Sequence, residues 1–567
     1  MGIKHFFYWF KRNFESEVYP LQSTSTLNDV DVEVDNFLID MNGIFHNSAQ
    51  RIYEYGNHKK PHKILPRVNK EFNKKKEVCL FEDVCKTVEL IFNIVNPRKR
   101  FILCVDGPAP ASKLSQQRQR RFRSAIEMTE NTPFNSNCIT PGTIFMENLH
   151  KYIDWYITKR INESKKWRDI EVVYSSQAVP GEGEQKAIQY IRKYGLNKES
   201  YCIHGLDADI IMLALGTHKE KFYILREELY DNNIDFLCVN VGNARDKISE
   251  LMRWDSSSDY TFDKRIAIND FIFLCFMVGN DFLPHIPSIE IIEDGIELIF
   301  EIYKNVGEKY GHITELLEGD IKFIPHSLSK YLEIIGDYEE NNFTIKAGKK
   351  GSYFPDILIE TCTDESGEHI TFDIEKYKEL YMKTHFNIDT EVLCHQYLEG
   401  MQWVITYYTK EVPNWKWYFP HHYAPPASIL CQHCKTFKFP KYSMTKPSSP
   451  FVQLLSVLPP SSSYLIPKPL SNLLSGNLQQ FCPEEINVDL SGVRREWEGK
   501  VLLPMIDLDL VKSECLKIIK KVSKKDLSRN REGKTFLYKH TPYFTTDIKS
   551  YYGDINNCRV KKSTIQL

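Results

Sequence analysis

The chain reads as an α/β protein: a mostly parallel central sheet flanked by helices, with a second, mainly helical unit packed against it. Three observations predict this. Over about the first 300 residues short apolar runs alternate with helical patterns, as they do when crossover helices join parallel strands. Four of the five apolar runs end at a carboxylate or a polar turn, and open parallel sheets gather functional groups beyond the carboxyl ends of their strands. From near Phe372 the periodicity turns helical and continues through Trp403.

The expected strands are Phe37–Ile39, Phe101–Val105, Val172–Tyr174, Tyr201–Ile203 and Phe222–Leu225, each a short apolar run. Helical patterns fall at Glu82–Phe92, Thr143–Lys159, Gln185–Lys193, Ala208–Leu215 and Asn269–Met277. Gly336–Gly351 lacks periodicity and is rich in Gly, Asn, Lys and Glu, the composition of an exposed connection. The organisation expected is therefore a core at 1–335, a linker or exposed loop at 336–371, a second unit at 372–512 and a Lys-rich segment of weak patterning at 513–567. The second unit includes the aromatic stretch Trp415–Pro425, and Pro440–Leu474, rich in Pro and Ser, is expected to run in extended pieces over the surface.

At 567 residues the chain can bury a large core. Its 73 basic and 75 acidic residues leave a net charge of −2, so a polyanion site must come from local clustering. The 14 cysteines lie mostly inside apolar segments, where a small buried thiol is the ordinary role, and a reducing compartment follows. Met1–Phe10 has no signal-peptide apolar region, and no stretch approaches the roughly 20 apolar residues a membrane span needs. Cytoplasmic placement is expected. Lys74-Lys75-Lys76 is weak as a nuclear import signal, and a nuclear location stays open. Cys431-Gln432-His433-Cys434 invites zinc, but no second Cys/His pair follows at finger spacing, so zinc is not expected.

The most informative segment runs from Cys104 to Arg123. Asp106 closes the strand Phe101–Val105, and Lys113, Arg118, Arg120, Arg121 and Arg123 follow with no acid among them. In a helix Lys113, Gln117, Arg120 and Arg121 share one face. An acid able to hold a metal, beside a face of fixed cations, suits a phosphate-bearing substrate.

Seven carboxylates recur in strand-end or turn contexts: Asp40, Asp106, Glu182, Glu184, Asp207, Asp209 and Asp281. Singly, each is an ordinary cap or turn residue. Jointly, two unit charges 4 Å apart repel by about 4 kcal/mol at an effective dielectric of 20, and hard divalent cations relieve that repulsion. Two such ions roughly 3.5–4 Å apart support phosphodiester cleavage. Glu182 and Glu184, alternating with Gly181 and Gly183, are expected in the turn before a helix or on different metals.

With these motifs in place the sequence resembles the 5′→3′ exoribonucleases of the Xrn family, within the PIN-like, flap-endonuclease superfamily. The resemblance is carried by Met1–Phe7, Leu38–His46, Val105–Arg123, Val179–Gln185, Gly205–Leu213, Phe273–Pro287, Gly400–Pro425, and Leu454–Pro460 with Glu496–Pro504, in the family's order. It implies that the seven acids bind Mg2+, with Mn2+ as a substitute. It implies that Lys113, Gln117, Arg120 and Arg121 hold a 5′-monophosphate, that Pro110 obstructs duplex entry, and that His46 stacks on the terminal bases with Trp417 or Trp415 as partner. Larger family members carry long carboxy-terminal extensions not seen here after about residue 510, which bears on protein partners and processivity.

The function expected is a processive 5′→3′ exoribonuclease that degrades 5′-monophosphorylated single-stranded RNA to nucleoside 5′-monophosphates in RNA decay, with single-stranded DNA as a further substrate. The rivals are a structure-specific flap or DNA 5′-nuclease and a non-catalytic RNA-binding scaffold. The threaded-strand features argue against the first, and the complete acid set against the second.

Overall fold

The sequence folds around a nine-stranded sheet whose spatial order is β1-β7-β6-β5-β2-β3-β4-β8-β9. The strands are β1 (Val18–Leu21), β2 (Asn36–Asp40), β3 (Arg100–Cys104), β4 (Glu171–Ser175), β5 (Tyr201–His204), β6 (Phe222–Glu227), β7 (Phe236–Asn240), β8 (Thr535–His540) and β9 (Val560–Ile565). The computed structural model describes residues 5–57, 75–128, 132–228, 231, 233–255, 259–291, 295–349, 354–365, 369–543 and 545–567. Met1–Lys4 of the amino-terminal motif and Lys74 of the basic triplet lie outside the described residues.

The five strands expected from sequence, β2 to β6, form the parallel middle of the sheet. Parallel strands are buried on both faces and so read as unbroken apolar runs. Successive side chains divide between two cores, as the pleat requires. Leu38, Ile102, Val173, Ile203 and Ile224 enter one, while Phe37, Ile39, Phe101, Leu103, Val172 and Tyr174 enter the other.

The helices that matter for the site are, in chain order, α1 (Met41–Tyr53), α2 (Lys76–Val95), α3 (Ala111–Glu127), α4 (Ile144–Glu163), α5 (Gly183–Tyr194), α6 (Asp209–Leu215), α7 (Lys264–Leu274), α8 (Pro325–Gly348), α9 (Thr390–Thr409), α10 (Ala427–His433) and α11 (Pro450–Val457). Helices α1, α2 and α4 cover one face of the sheet. Helices α5, α6 and α7 cover the other, and their core runs without a break into α8, α9 and α10. The mainly helical unit is thus continuous with one face of the sheet.

Three expectations are corrected. The first is the linker at 336–371: residues 336–348 are the second half of the 24-residue α8. Gly336 is there for close packing, since an added Cβ would sit 2.9 Å from the Ser428 backbone. The buried Glu339 carboxylate accepts from the Ala427 N–H at 2.7 Å and from the Ser428 hydroxyl, capping α10. A glycine and an acid that look like loop composition therefore do helix-packing work. Residues 350–353 and 366–368 of that stretch lie outside the described residues.

The second correction is Pro440–Leu474, which is not wholly extended. Pro450 starts α11, where proline is favoured at the first helical position, and every residue of that helix is buried. It forms a third core with Leu114 and Phe122 of α3. The third is the Lys-rich carboxy-terminal segment, which supplies β8 and β9. Phe536 and Leu537 of β8 pair antiparallel with Tyr174 and Val173 of β4, and Tyr538 is fully buried. Lys561 and Lys562 lie exposed on the outer strand, where charge discourages edge-to-edge association.

All fourteen cysteines are free thiols, and all but the half-buried Cys431 are buried. Among the described residues no helix is long and apolar enough to cross a membrane.

Candidate active site

The carboxyl ends of β2, β3 and β5, with the starts of α5 and α6, deliver six of the seven acids to one place. Asp40 ends β2 and precedes α1, Asp106 follows β3, Asp207 and Asp209 follow β5, and Glu182 and Glu184 flank the first residue of α5. Asp281 arrives from the far side, on the loop after α7. There Asn280 Oδ1 accepts from the Phe282 and Leu283 N–H groups at 2.8 and 2.9 Å, turning the chain.

Direct contacts tie down four of the seven, Asp40, Asp106, Glu182 and Asp281. Asn42 donates to Asp106 Oδ2 at 2.8 Å, its own N–H lies 3.3 Å from Asp40 Oδ1, and its Oδ1 accepts from the Asp106 N–H. The Gly183 N–H donates to Asp106 Oδ1 at 2.6 Å. A Cβ on Gly183 would meet Asp40 Oδ1 at 2.4 Å, so glycine is what lets α5 begin this close to the acids. Lys113 Nζ bridges Glu182 Oε1 at 2.5 Å and Asp281 Oδ2 at 2.6 Å, and Gln116 donates to Asp281 Oδ1 at 2.6 Å.

The electrostatics are those of charge forced together. Burial, then Asp106 and Asp207, push the Asp40 carboxyl well above the carboxylate range. Burial and Asp209 do the same to Glu184. Burial, Asp281 and Asp207 raise Asp209 to about 7. Burial also raises Glu182, with Lys113 opposing. At Asp281 burial is overridden by Lys113, and its carboxyl is held below the usual range. Burial alone would depress the Lys113 ammonium, but Asp281 and Glu182 keep it well above lysine's ordinary value.

The donor set fits a hard divalent cation. Oxygen atoms of Glu184, Asp207 and Asp209 lie within 4.8 Å of one another, and Glu184 Oε2 and Asp209 Oδ1 are buried without a hydrogen-bond partner among the described residues. Bare carboxylate oxygens facing each other need a positive centre.

The cationic face is divided. Pro110 caps α3, and the Ala111 N–H donates to the Trp415 carbonyl at 2.9 Å, bringing the Pro110 turn and Trp415 together. Arg120 and Arg121 act on His46 electrostatically: its imidazole is pushed down to about 4 by burial and by these two guanidinium groups. Arg121 is itself lowered to about 10 by burial and by Arg120. Lys113 turns instead into the acids, and Gln117 Oε1 accepts from Gln453 of α11 at 3.3 Å. Trp417 stacks on Trp403 at 5.2 Å. Cys431 and Cys434 bond their thiols to helix carbonyls of Ser428 and Leu430.

Three residues sequence reasoning passed over hold the site. Asn42 stands two places after Asp40, a faint signal that a turn residue serves the site. Lys186 of α5 donates to the Val105 and Ser176 carbonyls at 2.6 and 2.9 Å, and burial lowers its ammonium to about 8. Tyr407 of α9 donates to Glu182 Oε2 at 2.6 Å, and no local pattern announces it.

Comparison with known proteins gives the following. Residues 1–228 match the XRN 5′-3′ exonuclease N-terminus, and residues 260–357 and 360–566 match the Xrn1 helical domain. A human protein, 5′-3′ exoribonuclease 1, is 31% identical over 593 residues, covering 89% of this chain and 33% of its own length. The Drosophila melanogaster 5′-3′ exoribonuclease 2 homolog is 27% identical over 687 residues, covering 95% of this chain and 73% of its own length. The chain therefore spans only about a third of the human relative. A solved structure, the catalytic core of Rad2 in complex with DNA substrate, is 13% identical with a TM-score of 0.33, over 77% of this chain and 95% of that one.

Proposed function

The chain belongs to the XRN 5′-3′ exonuclease family, and from that premise we propose that it is a Mg2+-dependent 5′→3′ exoribonuclease acting processively on 5′-monophosphorylated single-stranded RNA in RNA decay. The observation that carries the reading is a seven-carboxylate cluster, with Glu182, Glu184 and Asp209 buried, in which Lys113 of the helix that bears Arg120 and Arg121 bridges Glu182 and Asp281. Mn2+ is a fitting substitute ion and single-stranded DNA a further substrate.

Asp40, Asp106, Glu182, Glu184, Asp207, Asp209 and Asp281 would hold the ions, which when bound supply Lewis-acid activation of water and charge neutralisation at the leaving oxygen. The chain's own groups do the rest. Arg120 and Arg121 bind the terminal phosphate with directed N–H donors and fix the distance from the 5′ end to the acids. Lys113, on the same helix face with Gln117, stands at the acid end of that face, where a phosphate would draw it from Glu182 and Asp281. His46, held neutral, offers a flat ring to the terminal bases, with Trp417 or Trp415 as the opposing aromatic. Such stacking is worth about 1–3 kcal/mol per base and tolerates any sequence. Pro110, pinned beside Trp415, narrows the approach to a single strand.

The test is one assay: matched RNAs with 5′-hydroxyl, 5′-monophosphate or 5′-triphosphate ends, and a flapped DNA, each incubated with Mg2+. Release of mononucleotides from the monophosphorylated RNA, well ahead of the other substrates, is expected. Preferred cleavage of the flap would replace this reading with the DNA-nuclease one.

A further inference from the structure

Glu182 receives a contact the acid cluster itself does not explain. Its Oε1 lies 2.5 Å from Lys113, while its Oε2 accepts from the Tyr407 hydroxyl at 2.6 Å, across 225 residues of sequence. Both groups are buried.

We propose that Tyr407 is a positioning residue for Glu182, holding that carboxylate in the orientation in which it serves the divalent-ion site; the proposal rests on the nuclease reading above. Five further observations support it. The Tyr407 ring stacks on Trp403 at 5.2 Å and 14°, and Trp403 stacks on Trp417 at 5.2 Å and 22°. Phe282, next to Asp281, meets the Tyr407 ring edge-on at 4.9 Å. The Trp403 indole N–H donates to the Asn414 carbonyl at 3.0 Å, anchoring the column to the segment that carries Trp415 and Trp417. The Tyr407 carbonyl accepts from Gln185 Nε2 at 2.8 Å, tying α9 to α5 beside Glu184.

A ring fixed on its face, its edge and its backbone cannot swing its hydroxyl away from Glu182. The contrast with Glu184 Oε2 and Asp209 Oδ1 is direct, because those oxygens have no donor among the described residues. One oxygen of Glu182 is thus fixed by a neutral donor, which orients the carboxylate without competing as a cation would. The column also joins the aromatic segment near the substrate path to the acid cluster through side chains alone.

The experiment compares wild type, Tyr407→Phe and Trp403→Phe. Mn2+ binding to the metal-stripped chain is measured by titration calorimetry, alongside kcat and KM on 5′-monophosphorylated RNA as Mg2+ is varied. Tyr407→Phe keeps the stack and loses only the hydroxyl. It is expected to weaken Mn2+ binding and raise the Mg2+ requirement by about tenfold, the size of one lost hydrogen bond to a charged acceptor. RNA KM at saturating Mg2+ should stay within about twofold and the unfolding midpoint within about 2 °C. Trp403→Phe, which withdraws the face under Tyr407 while sparing the hydroxyl, should move the Mg2+ requirement in the same direction by about threefold. It decides the question if Tyr407→Phe does not fold. Wild-type metal binding in both variants overturns the assignment and leaves the nuclease reading standing. A parallel loss of metal binding, RNA affinity and thermal midpoint also overturns it, in favour of a packing role. A wild-type chain that binds no divalent ion overturns both.

Discussion

Asp207 belongs to the tightest part of the cluster, with Glu184 and Asp209. If the proposed reading holds, Asp207→Ala cuts mononucleotide release by at least about 10³-fold while leaving single-stranded RNA affinity within about threefold, because on that reading it deletes an ion-binding oxygen and not a phosphate or base contact. A gel-based release assay beside a filter-binding titration reads both, and undiminished hydrolysis would refute the role. The two arginines make the opposite prediction. Arg120→Ala with Arg121→Ala should raise KM for monophosphorylated RNA by about 10–100-fold and bring it level with 5′-hydroxyl RNA, as charge-assisted bonds to the phosphate are lost. Persistence of the monophosphate preference would move the phosphate elsewhere. At this scale six of the acids were legible because each follows a strand or opens a helix, and Asp281 because it stands in a glycine-containing turn after one. The division of the cationic face was not: Lys113 shares a helical stripe with Arg120, yet its ammonium is claimed by Glu182 and Asp281, carboxylates 69 or more positions away in the chain.

Among the elements, the strands read correctly were those buried on both faces, since only these give unbroken apolar runs. The carboxy-terminal strands escaped because one lies at the edge with a burial pattern that is mostly exposed, Val560 being the buried exception at its start. Strand β7, Phe236–Asn240, is apolar and fully buried, and its run could have been read. Helix α8 escaped because Gly336 and Glu339 serve contacts with α10 that no local window contains. That contact gives a test. Gly336→Val drives a branched side chain into the Ser428 backbone, and overpacking of this kind costs about 1–3 kcal/mol. Chemical denaturation should show the loss, and a variant as stable as wild type would mean that α8 and α10 can separate freely.

For the molecule as a whole, the acid cluster makes stability depend on pH and on divalent ions together. Asp40, Glu184 and Asp209 bind protons more tightly folded than unfolded, Asp209 with a value of about 7. Their contribution is fully present below the unfolded carboxylate range near 4 and is lost as pH rises through about 7. In chelator, the calorimetric midpoint should fall by about 3 °C between pH 5.5 and 8, and Mg2+ should restore more at pH 8, where it no longer competes with protons. A flat profile would count against the cluster being strained. The sheet has a temporal consequence as well. The outer edge of β4 waits for β8, whose Thr535 hydroxyl bonds to that of Ser175 across 360 residues. At about 5–20 residues per second on a ribosome, that edge stays bare for roughly 20–70 s of synthesis. A nascent chain must keep that open strand from pairing with other chains for all that time, a hazard that lies in the order of synthesis and not in the finished site.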